Sequence, residues 1–118
     1  MNTDQYLFSY GTLQLKDVQR VTFGRLVPGQ RDSLLGFRIE MLEIRDAEVI
    51  AESGERHHPV VVRTGDPKDR VAGTVFAVSL EDLARSDAYE VSDYRRELFA
   101  LASGLRAWVY VDARLATG

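Results

Sequence analysis

Glu90 lies between two tyrosines, Tyr89 and Tyr94, close to the point where a helix is predicted to end. A carboxylate held among aromatic side chains loses hydrating water, which raises its pKa from about 4.3 toward the range useful for accepting and returning a proton. Glu90 is therefore a candidate general acid–base. The same position also fits a surface glutamate that forms an ion pair with Arg95 or Arg96.

A second stretch with chemical potential is Tyr10-Gly11-Thr12-Leu13, at the end of the apolar run Tyr6–Tyr10. Gly11 allows a sharp turn and a close approach of bare backbone to a ligand, and Thr12 adds a hydroxyl. Backbone N–H groups at such a bend can hold an anionic or carbonyl oxygen. An ordinary turn after a strand is the alternative interpretation.

Two helical segments would position these residues. A short helix or turn is predicted over Leu13–Phe23, ended by Gly24. A clearer helix begins after Ser79, a typical N-cap residue, with acidic residues in its first turn that suit the helix dipole. This second helix should end near Glu90, which places the candidate acid–base at a helix C-terminus.

Most of the remaining chain has the alternation and β-branched content of strands. Strands are predicted at Tyr6–Tyr10, Ser33–Glu43, Pro59–Arg63, Val71–Val78, Arg95–Ala102 and Arg106–Val111. Gly73 inside a strand indicates a bulge or a close backbone approach. Arg45–His58 is predicted to be a loop, and the tail Arg114–Gly118 is expected to fray.

This order of elements predicts the fold class. The chain is α+β and mainly sheet, with too few helices for a doubly wound parallel fold. Many strands in so few residues favour a small, mainly antiparallel or mixed β-barrel with flanking helices, because closure buries both a core and the sheet edges.

Composition narrows the classes of function. The 118 residues fit a single domain over residues 1–118. The formal net charge of −3 argues against a nucleic-acid partner, which usually needs a basic face. No apolar stretch approaches the length of a membrane span, and the first residues lack the pattern of a signal peptide. We therefore expect a cytoplasmic protein that binds neither nucleic acid nor membrane; its oligomeric state is left open.

The chain has few of the residues that usually bind transition metals, with no cysteine and two histidines. The chain has no cysteine, which excludes disulfides, thiolate zinc sites and a cysteine nucleophile. His57 and His58 are adjacent, and adjacent side chains of an extended segment point to opposite sides, so they rarely bind one metal together. We expect no metal and no cofactor.

Several motifs combine into a family pattern. They are Tyr10-Gly11-Thr12-Leu13, Asp87-x-Tyr89-Glu90, Tyr94-x-Arg96, Val71-x-Gly73 and Trp108-Val109-Tyr110. Together they resemble the γ-glutamylcyclotransferase-like family, which includes the γ-glutamylamine cyclotransferases and the AIG2-like proteins. The resemblance covers most of the chain, from Phe8 to the last strand.

This resemblance implies a small β-barrel with one substrate cavity. Members of the family release 5-oxoproline from a γ-glutamyl amide: the substrate's own α-amino group attacks its γ-carbonyl, and an amine leaves. Glu90 matches the catalytic position. Tyr10, Gly11, Thr12 and Leu13 match the loop that holds the γ-glutamyl group, and Tyr94 is a further expected substrate-binding residue.

The chain departs from the family pattern at positions that border the expected cavity. Val91 stands where glycine often follows the glutamate, Ser86 where leucine is common, and Thr74 where glutamate is common; Gln14–Val18 replaces a basic, glycine-containing segment. The physiological γ-glutamyl substrate therefore stays open. Since fold does not settle function, two other interpretations stand: a non-catalytic small-molecule-binding barrel that retains the cavity, and a different amide-cleaving enzyme.

Overall fold

The computed structural model describes residues 4–43, 57–90 and 94–112. The elements of these residues, in chain order, are β1 (Gln5–Ser9), a 3-10 turn (Thr12–Gln14), α1 (Lys16–Phe23), β2 (Gly29–Leu35), β3 (Phe37–Glu43), β4 (His57–Arg63), β5 (Arg70–Val78), α2 (Leu80–Tyr89), β6 (Tyr94–Ala100) and β7 (Arg106–Asp112). None of the helices in these three ranges is long and apolar enough to cross a membrane.

Strand β7 is the centre of the sheet, because three other strands hydrogen-bond to it. β6 pairs with β7 in antiparallel orientation along its whole length. The opposite edge of β7 pairs in parallel with β1 as far as Phe8–Val109, and then with β4 at Val61–Val111. One edge of β7 therefore changes partner at Tyr110.

The predicted α+β class is confirmed, but the predicted barrel closure is wrong. The seven strands form one mixed sheet in the order β2-β5-β1-β7-β4-β3, with β6 also on β7. The terminal strands β2 and β3 are consecutive in the chain and meet end to end at Gly36, whose φ of 81° lies in the left-handed region. Because β2 pairs with β5 and β3 pairs with β4, no ladder in the described residues joins β2 to β3.

The predicted helices are present with shifted bounds, and so are the predicted strands except one. The single strand predicted over Ser33–Glu43 is wrong, because the left-handed backbone at Gly36 divides that segment between β2 and β3. Gly24 ends α1 with a φ of 76°, as expected for a left-handed C-cap. β4 begins at His57, so the predicted loop Arg45–His58 is wrong for its last two residues, because a strand can extend past Pro59 at the sheet's outer pair of strands. Residues 45–56 and the predicted frayed tail, residues 114–118, lie outside the described residues.

At Gly73 the backbone of β5 lies so close to that of β1 that a side chain does not fit. A Cβ there would collide with the backbone oxygen of Ser9 and come within 2.7 Å of the Phe8 ring. Ser9 directly precedes the Tyr10–Leu13 segment. The packing of β5 against β1 thus depends on a glycine opposite the start of that segment.

The two faces of the sheet carry two separate hydrophobic clusters. Successive residues of a strand point to opposite faces, and Phe8 belongs to one cluster while Leu7 belongs to the other. The second cluster also contains Phe23 of α1, Leu83 of α2 and Tyr110 of β7. Both helices therefore cover the face of the sheet on which Tyr110 lies.

The start of α2 is anchored by a capping box and by an ion pair from the half-exposed Arg25 to the buried Asp82 carboxylate. The Ser79 side chain accepts a hydrogen bond from the Asp82 N–H (3.0 Å), and the Asp82 carboxylate accepts one from the Ser79 N–H (2.9 Å). Arg25 donates to both oxygens of Asp82 at 2.9 and 2.8 Å. These contacts fix the direction of α2 and, with it, the position of the residue that ends it.

Candidate active site

Glu90 ends helix α2, as the sequence predicts. Its backbone is extended (φ −72°, ψ 145°), and its N–H donates to the Ser86 carbonyl at 3.0 Å. The side chain is partly buried, and this burial raises the pKa of Glu90 from an ordinary value of 4.5 to about 7, with a smaller contribution from the charge of Asp87. A carboxyl group with this pKa can hold or release a proton near neutral pH.

The two arginines that follow Glu90 are paired with other carboxylates. Arg96 donates from Nε and Nη2 to the two oxygens of Asp87, each at 2.8 Å. Arg95 forms an ion pair with Glu97 at 3.1 Å. Within residues 4–43, 57–90 and 94–112 there is no ion pair to Glu90, so the interpretation of Glu90 as a partner of these arginines does not match the structure.

A cavity of about 350 Å³ opens beside Glu90, which is within the usual range for small-ligand sites. Its wall comes from the end of α2, from β6 and from β7. The lining residues are Asp87, Glu90, Tyr94, Arg95, Arg96, Trp108 and Tyr110. Two of the predicted site residues, Glu90 and Tyr94, therefore meet at one cavity.

A hydrogen-bond network stiffens the wall of this cavity. The Tyr110 hydroxyl donates to Asp87 at 2.7 Å and lies 2.7 Å from the Ser86 hydroxyl. The hydrogen bonds from Arg96, ahead of a smaller one from Tyr110, lower the pKa of Asp87. The Arg96 guanidinium also lies over the Trp108 ring, 4.6 Å from its centroid. Asp87 is thus held as a carboxylate beside Glu90.

The loop Tyr10–Leu13 lies next to this cavity without being part of its wall. The Thr12 hydroxyl and the Tyr89 hydroxyl are 2.6 Å apart, which ties the loop to the residue before Glu90. Leu13 is buried in the helix-side cluster. The Gly11 carbonyl accepts hydrogen bonds from the backbone and side chain of Gln14, both at 3.2 Å. The structure thus ties the loop, through Thr12, to the end of α2 next to Glu90.

Tyr10 and Tyr94 have hydroxyl groups committed to backbone oxygens. Tyr10 donates to the Tyr110 carbonyl at 2.7 Å, at the point where the edge of β7 changes partner. Tyr94 donates to the Pro59 carbonyl at 2.5 Å and packs edge-on against the Tyr110 ring. Burial raises the pKa of Tyr10 well above its usual value, with further contributions from Tyr94 and Glu90. Tyr10 therefore stays a neutral hydrogen-bond donor near Glu90, and Tyr94 lines the cavity beside Glu90.

The sequence interpretation gave no individual role to the wall residues Trp108 and Tyr110, or to Ser86, whose hydroxyl lies beside that of Tyr110. The alternation of Trp108 and Tyr110 along β7 places both side chains on one face, and this signal is visible in the sequence. Their contact with Asp87 and Arg96 depends on the register of β6 against β7, which pairs Arg96 with Tyr110. That register has no local sequence signature.

The described residues contain no group of three or more His, Cys, Asp or Glu side chains that could hold a metal ion. The side chains of His57 and His58 lie outside the described part of the structure, although their backbone is in β4.

A family model described as gamma-glutamyl cyclotransferase, AIG2-like, matches residues 7–116. The chain belongs to this family. The match includes every wall residue of the cavity and the whole Tyr10–Leu13 loop.

Solved structures with the same fold are longer and distant in sequence. A solution structure of a protein from Arabidopsis thaliana has a TM-score of 0.71 and 22% identity, over 92% of this chain and 61% of that chain. A structure named gamma-glutamyl cyclotransferase has a TM-score of 0.62 and 14% identity, over 92% of this chain and 66% of that one. This chain thus spans less than two thirds of either protein. A search of curated proteins found no match.

Proposed function

We propose that this chain cyclises a γ-glutamyl amine or a γ-glutamyl dipeptide to 5-oxoproline and releases the amine, with Glu90 as the general acid–base. The observation that carries the proposal is the state of Glu90. It is a cavity-wall carboxyl whose pKa burial raises to about 7, and it has no ion pair within the described residues. Family membership supports the reaction type.

In the proposed reaction, the α-nitrogen of the substrate forms a bond to its own γ-carbon, and the bond from that carbon to the amine nitrogen breaks. Two protons move from the attacking nitrogen to the leaving nitrogen, which departs as an ammonium ion, and no water is consumed. Glu90 accepts and returns these protons. General acid–base catalysis of this kind contributes about 10²–10⁴-fold to a rate.

The raised pKa of Glu90 makes this proton transfer energetically accessible. The α-amino group of a γ-glutamyl substrate is more basic than a carboxylate, and each pKa unit between the two groups costs about 1.4 kcal/mol. Burial raises the pKa of Glu90 from 4.5 to about 7, so it lowers the cost of this proton transfer by roughly 3 kcal/mol. The remaining advantage comes from holding the substrate in its cyclising conformation, since both reacting groups are in one molecule.

The loop Tyr10–Leu13 is proposed to hold the γ-glutamyl group, with Tyr94 as an aromatic wall. The leading N–H groups of a helical turn have no carbonyl partner within that turn, and Thr12 starts the 3-10 turn beside Tyr89. A donor aimed at the oxygen of a tetrahedral intermediate is worth about 3 kcal/mol. The loop therefore has groups of the kind that could stabilise the developing oxyanion.

The decisive experiment measures 5-oxoproline release from a panel of γ-glutamyl amines and γ-glutamyl dipeptides. We expect release by the wild type and by Glu81→Gln, an exposed carboxylate on the same helix, and none by Glu90→Gln. Undiminished release by Glu90→Gln would refute the role of Glu90. Thermal stabilisation by these compounds without any release would instead favour the non-catalytic binding interpretation.

A further inference from the structure

Two carboxylates share the wall of the cavity, and only one of them is assigned a role by the proposed function. Asp87 precedes Glu90 by three residues at the end of α2, and both line the same space. Residues at this spacing are neighbours on a helix surface, and like charges there repel each other. The ionisation of Glu90 is therefore coupled to the charge on Asp87.

The hydrogen bonds that Asp87 accepts favour its ionised form. It accepts two hydrogen bonds from Arg96 and one from the Tyr110 hydroxyl, all at 2.7–2.8 Å. Two of these bonds form a bidentate guanidinium–carboxylate pair, which is a strong and orienting arrangement. The carboxylate is 43% exposed and the arginine 21%, so the pair lies at the edge of the cavity rather than deep in the core.

Resting on the proposed function of Glu90, we propose that Asp87 is a positioning residue that acts through Glu90. Its charge, fixed in place by Arg96 and Tyr110, favours the protonated form of Glu90, and the Arg96 charge limits that effect. The Asp87–Arg96 pair would then set the pH at which Glu90 exchanges its proton with the substrate amine. Asp87 itself touches no reacting atom in this scheme.

The charged and titratable groups that face Glu90 come from each element packed around it. Asp87 lies on its own helix, Tyr10 lies after β1, and Tyr110 lies on β7. β6 contributes Tyr94, Arg95 and Arg96. Burial raises the pKa of both Tyr10 and Tyr110 well above the usual value, so these two hydroxyls carry no charge near neutral pH.

The test is a ¹³C NMR titration of the Glu90 side-chain carboxyl in the full chain, assigned by loss of its signal in Glu90→Gln. Asp87→Asn keeps an acceptor for Tyr110 but removes the negative charge, so the midpoint should fall by about half a pH unit to one pH unit. Arg96→Gln leaves the Asp87 charge uncompensated, so the midpoint should rise by a similar amount. Arg96→Lys keeps the positive charge and should restore a midpoint close to wild type.

A purely structural role for the pair predicts a different pattern, in which Asp87→Asn and Arg96→Gln lose stability and shift the midpoint in the same direction or not at all. That pattern would overturn the inference. Should Asp87→Asn not fold, the contrast between a raised midpoint in Arg96→Gln and a midpoint close to wild type in Arg96→Lys still decides it, and equal midpoints in these two variants would overturn the inference. Because the titration needs no turnover, opposed shifts without any 5-oxoproline release would uphold the coupling while the proposed function fails.

Discussion

Replacing Glu90 with glutamine should stabilise the protein at alkaline pH while removing its proposed activity. Burial raises the folded-state pKa of Glu90 to about 7, whereas the unfolded chain has an ordinary value near 4.5. A carboxyl with a raised pKa favours folding when it is protonated, and this contribution is lost as the pH rises from about 4.5 through about 7. Glutamine cannot ionise, so the variant does not lose it.

The size of the effect follows from the change in pKa. A difference of about 2.5 pH units, from 4.5 to about 7, corresponds to roughly 3 kcal/mol at pH 8 and above. Glu90 is only partly buried and can turn toward water when it ionises, which reduces this value. We expect the stability of Glu90→Gln relative to wild type to increase by about 1–3 kcal/mol between pH 4.5 and pH 8.5.

Urea unfolding at intervals across that range measures the difference directly, because every other titrating group is present in both proteins and cancels. At pH 4.5 both side chains are neutral in the folded state, so the two proteins differ mainly by the local cost of the amide. Glu81→Gln, on the exposed side of the same helix, serves as the matched control and should show no such gain. A pH-independent difference between Glu90→Gln and wild type would refute the burial argument.

Three further perturbations test the elements that position the site. Asp82→Asn should lower the free energy of unfolding by about 2 kcal/mol above pH 5, because the hydrogen bonds from Arg25, followed by those from Ser79, hold the pKa of Asp82 at about 2. Acid-unfolding curves should show this loss of stability shrinking as the pH falls toward 2. Gly73→Ala should lower the free energy of unfolding by at least about 2 kcal/mol, because the new Cβ collides with the Ser9 backbone oxygen. An unchanged midpoint of urea unfolding would contradict this packing. Tyr89→Phe removes the exposed hydrogen bond to Thr12 and should change the free energy of unfolding by less than about 1 kcal/mol. It should nevertheless raise KM for γ-glutamyl substrates, and an unchanged KM would argue that this hydrogen bond does not position the loop for substrate binding.

If Glu90→Gln is more stable than the wild type, the residue proposed for function is one that lowers the stability of the folded protein. A cavity-wall carboxyl with no ion pair in the described residues is less favourable than a paired one. Asp87 and Arg96, which line the same cavity, show the stabilising alternative of a bidentate pair. The contrast between the two carboxylates supports the proposed role of Glu90 in proton transfer.

Much of the fold follows from local sequence chemistry. The capping residue Ser79 and the acidic first turn define where α2 begins, and the loss of helical pattern after Tyr89 defines where it ends, which places Glu90 at the helix terminus. Alternation along β7 separates its two faces, and Gly24 marks the end of α1. These features depend on neighbours within a few residues, and such short-range preferences can be read from the chain alone.

Tertiary structure decided which groups meet. The sequence places two arginines after Glu90, but the register of β6 on β7 directs Arg96 to Asp87, nine residues away in the chain. Tyr10 donates to Tyr110 across 100 residues because the edge of β7 changes partner there. The sheet is likewise open because β2 pairs with β5 and β3 pairs with β4, rather than with each other. Strand register and the choice of pairing partner depend on contacts summed over the whole fold. A local sequence pattern therefore determines whether a segment is a helix or a strand, but not which other strands it pairs with.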